Sequence, residues 1–178
     1  MLRLFYPCEY LDSVFQIDYE KLRAKGYKAV IFDIDNTLVR HGYESNARVD
    51  ALFEEIHNIG LKTLLLSNNS RERIEEFLEN IDSLYIHEAN KPLPKGYLKA
   101  VKMLEVKKSE VVFIGDQVFT DILGANLSGI DSILVKYLRD PDETYIGKRR
   151  ELEKLILGFY EKSRSRRRGI GDIIKKES

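Results

Sequence analysis

A single cysteine, Cys8, rules out any intrachain disulfide. No stretch reaches the roughly 18 consecutive apolar residues that a membrane-spanning helix requires. The amino-terminal MLRLFYPCEY lacks the long apolar core and small-residue cleavage site of a signal peptide. These absences lead us to expect a cytoplasmic protein that meets a membrane, if at all, peripherally at the inner face. Neither GxxxxGK[ST] nor GxGxxG occurs, so no nucleotide cofactor is expected. Net charge is missing too: 29 basic residues balance 29 acidic ones, and any electrostatic preference must be local. No internal repeat is present.

What the chain does have is one domain's worth of apolar material: 178 residues, 43% hydrophobic, enough for one core and too few for two ordinary domains. From Lys28 onward, short runs rich in branched residues alternate with segments of helical period, the pattern of repeated βα units and a parallel sheet. The expected fold is α/β and Rossmann-like, with five parallel strands and helices on both faces. The strands are read at 29–33, 62–66, 83–87, 111–115 and 132–136. Helices are expected at 48–59, stopped by Gly60; from a capping box of Asn69 and Glu72, with Ile74, Phe77, Leu78 and Ile81 inward; from Pro94 to about Leu104, with Leu98, Val101 and Leu104 inward; and at 121–127, ended by Gly129. Residues 1–27 read as a helical segment packed on the sheet. A covering helix is expected from about Gly147 to Ser163, with Leu152, Leu155, Ile156, Phe159 and Tyr160 at helical spacing.

Those residues, 1–163, form the single expected domain, and 164–178 a basic tail. From Lys162 to the end there are seven basic and two acidic residues, a surplus of +5, against 22 basic and 27 acidic in the rest. Such a segment suits an anionic lipid surface or nucleic-acid phosphates, or is simply a solvated terminus. His41, His57 and His87 lack the partner pattern of a zinc site and receive no role.

In open parallel sheets, ligands sit outside the carboxyl ends of the strands. Asp33, Asp35 and Thr37 follow the first expected strand, Ser67 and Asn68 the second, Lys91 the third, and Asp116 the fourth, with Asp121 one turn into the next helix. Singly, each has an ordinary explanation: Ser67 a helix cap, Lys91 a solvated loop residue, Asp121 a first-turn aspartate favoured by the helix dipole. Taken in order, they form one cluster of carboxylates with a lysine and hydroxyls. A hard divalent cation and a phosphoryl group together require such a set: carboxylate oxygens for the metal, a cation and donors for the non-bridging oxygens.

DIDNT at 33–37, SNN at 67–69, KPLP at 91–94 and GDQVFTD at 115–121 resemble the four ordered motifs of the haloacid dehalogenase (HAD) phosphatase superfamily. DNTLV, the GDQ and TD elements with the following GAN, and the N-terminal P-x-x-Y resemble its subfamily III, YqeG-like branch, related to phosphatidylglycerophosphate phosphatases. This resemblance runs from about Pro7 to Glu151. It implies that Asp33 is the nucleophile of an aspartyl-phosphate mechanism and Asp35 the general acid and base. It also implies that Thr37, Ser67, Asn68 and Lys91 bind phosphate, with Lys95 as rival to Lys91. Asp33, Asp116, Asp121 and the backbone carbonyl of Asp35 would hold or orient Mg²⁺ and its water. Proximity to a second carboxylate and a phosphate is expected to raise the Asp35 pKa, while Asp33 stays ionised.

Neither usual insertion point has room for a lid domain, which favours a large or lipid-linked phosphate such as phosphatidylglycerophosphate. Nucleic-acid or protein phosphates are the alternative substrates. A non-catalytic RNA- or membrane-binding module is a further alternative. A receiver-like phosphoacceptor is disfavoured by motif order: a receiver places its lysine after the last strand.

Overall fold

The computed structural model describes residues 2–139, 147–163 and 169–175. Its sheet contains strands β1 (Glu9–Leu11), β2 (Ala29–Phe32), β3 (Lys62–Leu66), β4 (Leu84–Ile86), β5 (Val111–Gly115) and β6 (Asp131–Val135). They lie in the order β1-β6-β5-β2-β3-β4, and every neighbouring pair is parallel. Helices α1 (Tyr19–Ala24), α2 (Ala47–Asn58), α3 (Arg71–Phe77), α4 (Pro94–Leu104), α5 (Leu123–Ser128) and α6 (Lys148–Ser163) surround it.

Strand alternation divides the core. Val30 and Phe32 of β2, with Val112 and Ile114 of β5, face α1, α2 and α3 through residues such as Leu22, Phe53 and Ile74. Ala29, Ile31, Val111 and Phe113 face the other way, against Tyr97, Ala100 and Leu104 of α4 and Ala125 of α5. Both faces are covered, so the central strands are apolar throughout, as parallel sheets require. Each fully buried large side chain contributes about 1.5–3 kcal/mol, which holds β2 and β5 rigidly at the centre. Chain order reverses between these two strands: β3 and β4 lie on one side of β2, β5 and β6 on the other. In the β2–β5 register Phe32 lies beside Ile114, so Asp33 and Asp116 leave the sheet in the same crevice.

Five strands were expected and six are found among the described residues. Glu9–Leu11, read as part of a helical segment, extends the sheet by pairing with β6 from Glu9↔Ile133 to Leu11↔Val135. Three residues are too few to show a strand period, and the exposed edge of β6 supplies the reason to extend. The third helix is capped by Ser70, whose hydroxyl accepts from Arg73 N–H at 3.4 Å, and not by Asn69. Leu98 is 40% exposed, because α4 turns Tyr97, Ala100, Val101 and Leu104 inward. The helix expected at 121–127 is a π-helical turn, Val118–Ile122, running into α5.

α6 is also rotated from its expected setting: Glu153, Ile156 and Tyr160 are buried, whereas Leu152, Leu155 and Phe159 are 49%, 64% and 58% exposed. Glu153 determines that rotation by accepting from the N–H groups of Val118 at 2.9 Å and Phe119 at 3.4 Å. Residues 140–146 lie outside the described residues, as do 164–168 and 176–178 of the basic segment. Residues 169–175 dock on the amino-terminal layer. Ile173 is buried, its carbonyl accepts from Asp18 N–H at 2.7 Å, and Lys175 pairs with Glu55 at 2.7 Å.

Candidate active site

β2 ends at Phe32, and Asp33 follows at once, its N–H still bonded to Ile114 O at 3.0 Å. The chain must then turn sharply, and Asn36 supplies the turn with φ 61°. Asparagine tolerates that left-handed geometry better than most side chains, and its Oδ1 accepts from His41 N–H at 3.1 Å. The turn brings Thr37 back, and its hydroxyl donates to Asp116 Oδ1 at 3.1 Å. Side chains 79 residues apart thus meet because their strands are neighbours.

Asp33, Asp116 and Asp121 each offer a carboxylate oxygen, all within 4.8 Å of one another, and all three residues are buried. Lys91 Nζ sits among them, 2.6 Å from Asp33 Oδ1 and 2.8 Å from Asp121 Oδ1. Lys91 is 8% exposed, whereas Lys95 lies on the exposed side of α4. The exposed Asn68 braces the Lys91 backbone: its Oδ1 accepts from Lys91 N–H at 2.8 Å. Ser67 is buried beside the crevice, and its hydroxyl accepts from Asn69 N–H at 3.2 Å.

The π-helical turn aims Asp121 back at its own strand. Its Oδ2 accepts from the N–H groups of Asp116 at 3.1 Å and Gln117 at 2.9 Å, which fixes the loop carrying Asp116. Gly115 makes this approach possible, since a Cβ there would fall 2.5 Å from Asp121 Oδ2. Behind Asp121, the Tyr97 hydroxyl donates to Thr120 O at 2.9 Å. Such π turns occur often at functional sites, where an extra residue redirects a side chain.

Asp35 stands apart from this cluster, half-buried at its rim. Asn69 Nδ2 donates to it at 2.6 Å, Gly42 N–H at 3.1 Å and Arg73 Nη2 at 3.4 Å, with His41 Nδ1 also 3.4 Å away. Burial pushes its pKa up, but these donors and positive charges outweigh burial and hold the carboxyl below its ordinary range. Asp33 shows the opposite. Burial, reinforced by Asp121 and Asp116 and opposed by Lys91, pushes it up to about 8. The expected tuning is therefore reversed in the metal-free protein: carboxylate neighbours crowd Asp33, whereas donors surround Asp35.

Arg150 and Glu153 were missed in the sequence. Arg150 Nη1 donates to the Asp116 backbone carbonyl at 2.7 Å, Nη2 pairs with the Asp116 carboxylate, and Nη1 also reaches Glu153 Oε2 at 3.0 Å. Asp116 is nevertheless pushed up to about 6, by burial first and by Asp121, against the pull of Arg150. An Arg-x-x-Glu pair on a helix reads as a surface ion pair, and only the rotation of α6 turns it inward. Asn69 and Arg73 were likewise hidden, one behind an assumed cap and the other on an assumed outer face.

Three buried carboxylates thus meet two cations, and one cation is shared with Glu153. Burial first, and the excess negative charge after it, raise Asp33 and Asp116, and a divalent cation would neutralise that charge. The donor set, hard carboxylate oxygens converging on one point, fits such an ion. Only the loop between Val39 and Ala47 follows the first motif, and α3 alone separates β3 from β4, so no large inserted domain caps the crevice.

A Rossmann-like sheet carrying such a cluster at its switch point, next to a buried lysine, defines a hydrolase built to handle a phosphoryl group. The haloacid dehalogenase-like hydrolase family matches residues 41–129. "Probable phosphatase YqeG" of Bacillus subtilis (strain 168) is 36% identical over 156 residues, covering 87% of this chain and 91% of that protein. "Phosphatidylglycerophosphate phosphatase 1, chloroplastic/mitochondrial" of Arabidopsis thaliana is 29% identical over 155 residues, 79% of this chain but 44% of that protein. Among solved structures, NagD from E. coli K-12 aligns with TM-score 0.54 at 14% identity, covering 68% of this chain and 94% of that one, a likeness of fold. The chain belongs to the haloacid dehalogenase-like hydrolases, in the YqeG-like branch, and is a phosphatase by family and by site.

Proposed function

We propose that the protein is a Mg²⁺-dependent phosphomonoesterase working through an aspartyl-phosphate on Asp33, with a lipid-linked phosphate such as phosphatidylglycerophosphate as substrate. The observation that carries the chemistry is the convergence of Asp33, Asp116, Asp121 and Lys91 at one point, with Asp35 held separately at the rim. Lys91 neutralises a non-bridging oxygen, Ser67 donates to another, and Thr37 does so once it leaves Asp116. An Asp33 oxygen attacks phosphorus, the phosphorus–oxygen ester bond breaks, and Asp35 gives a proton to the departing alkoxide. Asp35 then takes a proton from water, which attacks phosphorus, frees Asp33 and releases inorganic phosphate.

The ionised state in which Asp35 is held suits the second half. Its acid role requires a proton gained as the charged phosphate arrives beside it. Asp33, Asp116 and Asp121 would hold Mg²⁺, with the Asp35 backbone carbonyl completing the set. When bound, the ion supplies charge neutralisation of nucleophile and phosphoryl group. The uncapped crevice and the relationship to the plant enzyme support a substrate larger than a free metabolite. The test is phosphate release from short-chain phosphatidylglycerophosphate, a 3′-phosphorylated oligonucleotide and a phosphopeptide, each with Mg²⁺. Preference for the lipid by tenfold or more in kcat/KM is expected, and a preference for either other substrate would replace this assignment.

A further inference from the structure

Beside the carboxylate cluster, on the α6 side of Asp116, lies a second cleft of about 280 Å³. It runs between the carboxyl end of β6 and the inner edge of α6. Leu134, Leu157 and the rings of Tyr10 and Tyr137 give it an apolar lining. Four basic side chains also line it: Lys136, Arg139, Arg150 and Lys154. Its two acids, Asp116 and Glu153, are both engaged by Arg150, and Glu153 also accepts from backbone N–H groups. Among the described residues, Lys136 and Lys154 pair with the exposed Asp12 and Glu151, contacts that contribute little and that an arriving anion can displace. Arg150 joins the two sites: it grips Asp116 and lies over the Tyr137 ring at 4.7 Å.

We propose that this cleft binds the non-reacting part of the substrate, and that this part carries a second negative charge on an apolar stem, as a phosphodiester with acyl chains does. The inference rests on the phosphomonoesterase reading, because the shared wall at Asp116 places whatever fills the cleft next to the reacting phosphorus. An apolar lining alone would accept any hydrocarbon, but Lys136 and Lys154, whose partners are exposed, select for an anion. Binding energy gathered there is available to orient the ester at Asp33. Arg150 thereby becomes a residue that determines specificity as well as one that positions Asp116.

The test uses the full chain with Mg²⁺ and two soluble probes that have no phosphomonoester: dihexanoyl-phosphatidylglycerol, which is anionic, and dihexanoyl-phosphatidylcholine, which is zwitterionic. Calorimetry gives the affinities, and NMR of the tyrosine rings locates the binding. The expected result is that the anionic probe binds at least fivefold tighter, shifts Tyr10 and Tyr137, and weakens at least fivefold in the double variant Lys136→Glu, Lys154→Glu. Both lysines are exposed, with side chains 61% and 56% accessible, so the variant folds. Equal affinity for the two probes, or no change on charge reversal, overturns the cleft assignment. Aryl-phosphate turnover is scored separately with Asp33→Asn as control. Turnover without cleft binding sinks only this inference, and cleft binding without turnover sinks only the phosphatase mechanism.

Discussion

Arg150 and Asp116 are joined at both backbone and side chain: one guanidinium nitrogen takes the Asp116 carbonyl at 2.7 Å while the other takes its carboxylate. The planar fork of arginine allows this double grip, and lysine cannot reproduce it. Arg150→Met therefore leaves Asp116 higher than its present pKa of about 6. Protons then compete more strongly with Mg²⁺ for Asp116, and the gain in Mg²⁺ affinity between pH 7 and pH 9 should be larger in the variant than in wild type. Calorimetric Mg²⁺ titration at both pH values checks this, and an unchanged pH dependence would show the grip to be structural only.

Asp33→Asn should lower aryl-phosphate turnover by about a thousandfold or more, since amide nitrogen replaces the attacking oxygen. The same change removes one of three crowded charges, so the metal-free variant should melt higher than wild type at pH 8. Equal turnover would refute Asp33 as nucleophile.

The raised pKa values of Asp33 and Asp116 set a sign for stability against pH. In the metal-free protein these groups bind protons more tightly folded than unfolded. Their contribution is full below about 4, the ordinary carboxyl pKa, and is lost as pH rises through about 6 and then about 8. With a chelator present, the melting temperature should fall between pH 5.5 and 8.5, and the stabilisation given by added Mg²⁺ should grow over the same interval. Melting curves that rise with pH in chelator would contradict the charge excess.

Little of this electrostatic detail was legible in advance. Both central strands and their acidic ends were, because a run buried on both faces has no other reading and the acids follow it directly. β1 was not, since three residues carry no period and their strand character comes from β6. The spacing of Asp121 from Asp116 was readable, but the π turn that aims it depends on Glu153, 32 residues later. Arg150 and Arg73 sit on helices where an exposed charge is the ordinary expectation, and only tertiary packing shows which of them turn inward.

Gly115→Ala tests how tightly Asp121 is held. The added methyl would fall on the Asp121 carboxylate, which is held by Lys91 and by the N–H groups of Asp116 and Gln117. A loss of about 1–3 kcal/mol is expected, with weaker Mg²⁺ binding. Denaturant unfolding measures the first, and an unaffected midpoint would show that the loop yields.

Arg73→Met should raise the Asp35 pKa, since Arg73 is one of the positive charges holding it down. The basic limb of the kcat/KM profile, which follows Asp35 as proton donor of the first step, should move to higher pH, with the Asn69 hydrogen bond keeping the shift modest. A limb that stays in place would assign it to another group.

Among the described residues, β1 has β6 as its only strand neighbour, and their register joins Glu9 to Ile133. During synthesis, then, β1 has no strand partner until β6 leaves the ribosome. A nascent chain that has completed β5 can already assemble the centre of the sheet while β1 waits for its neighbour. In this fold a strand made before the centre settles after it.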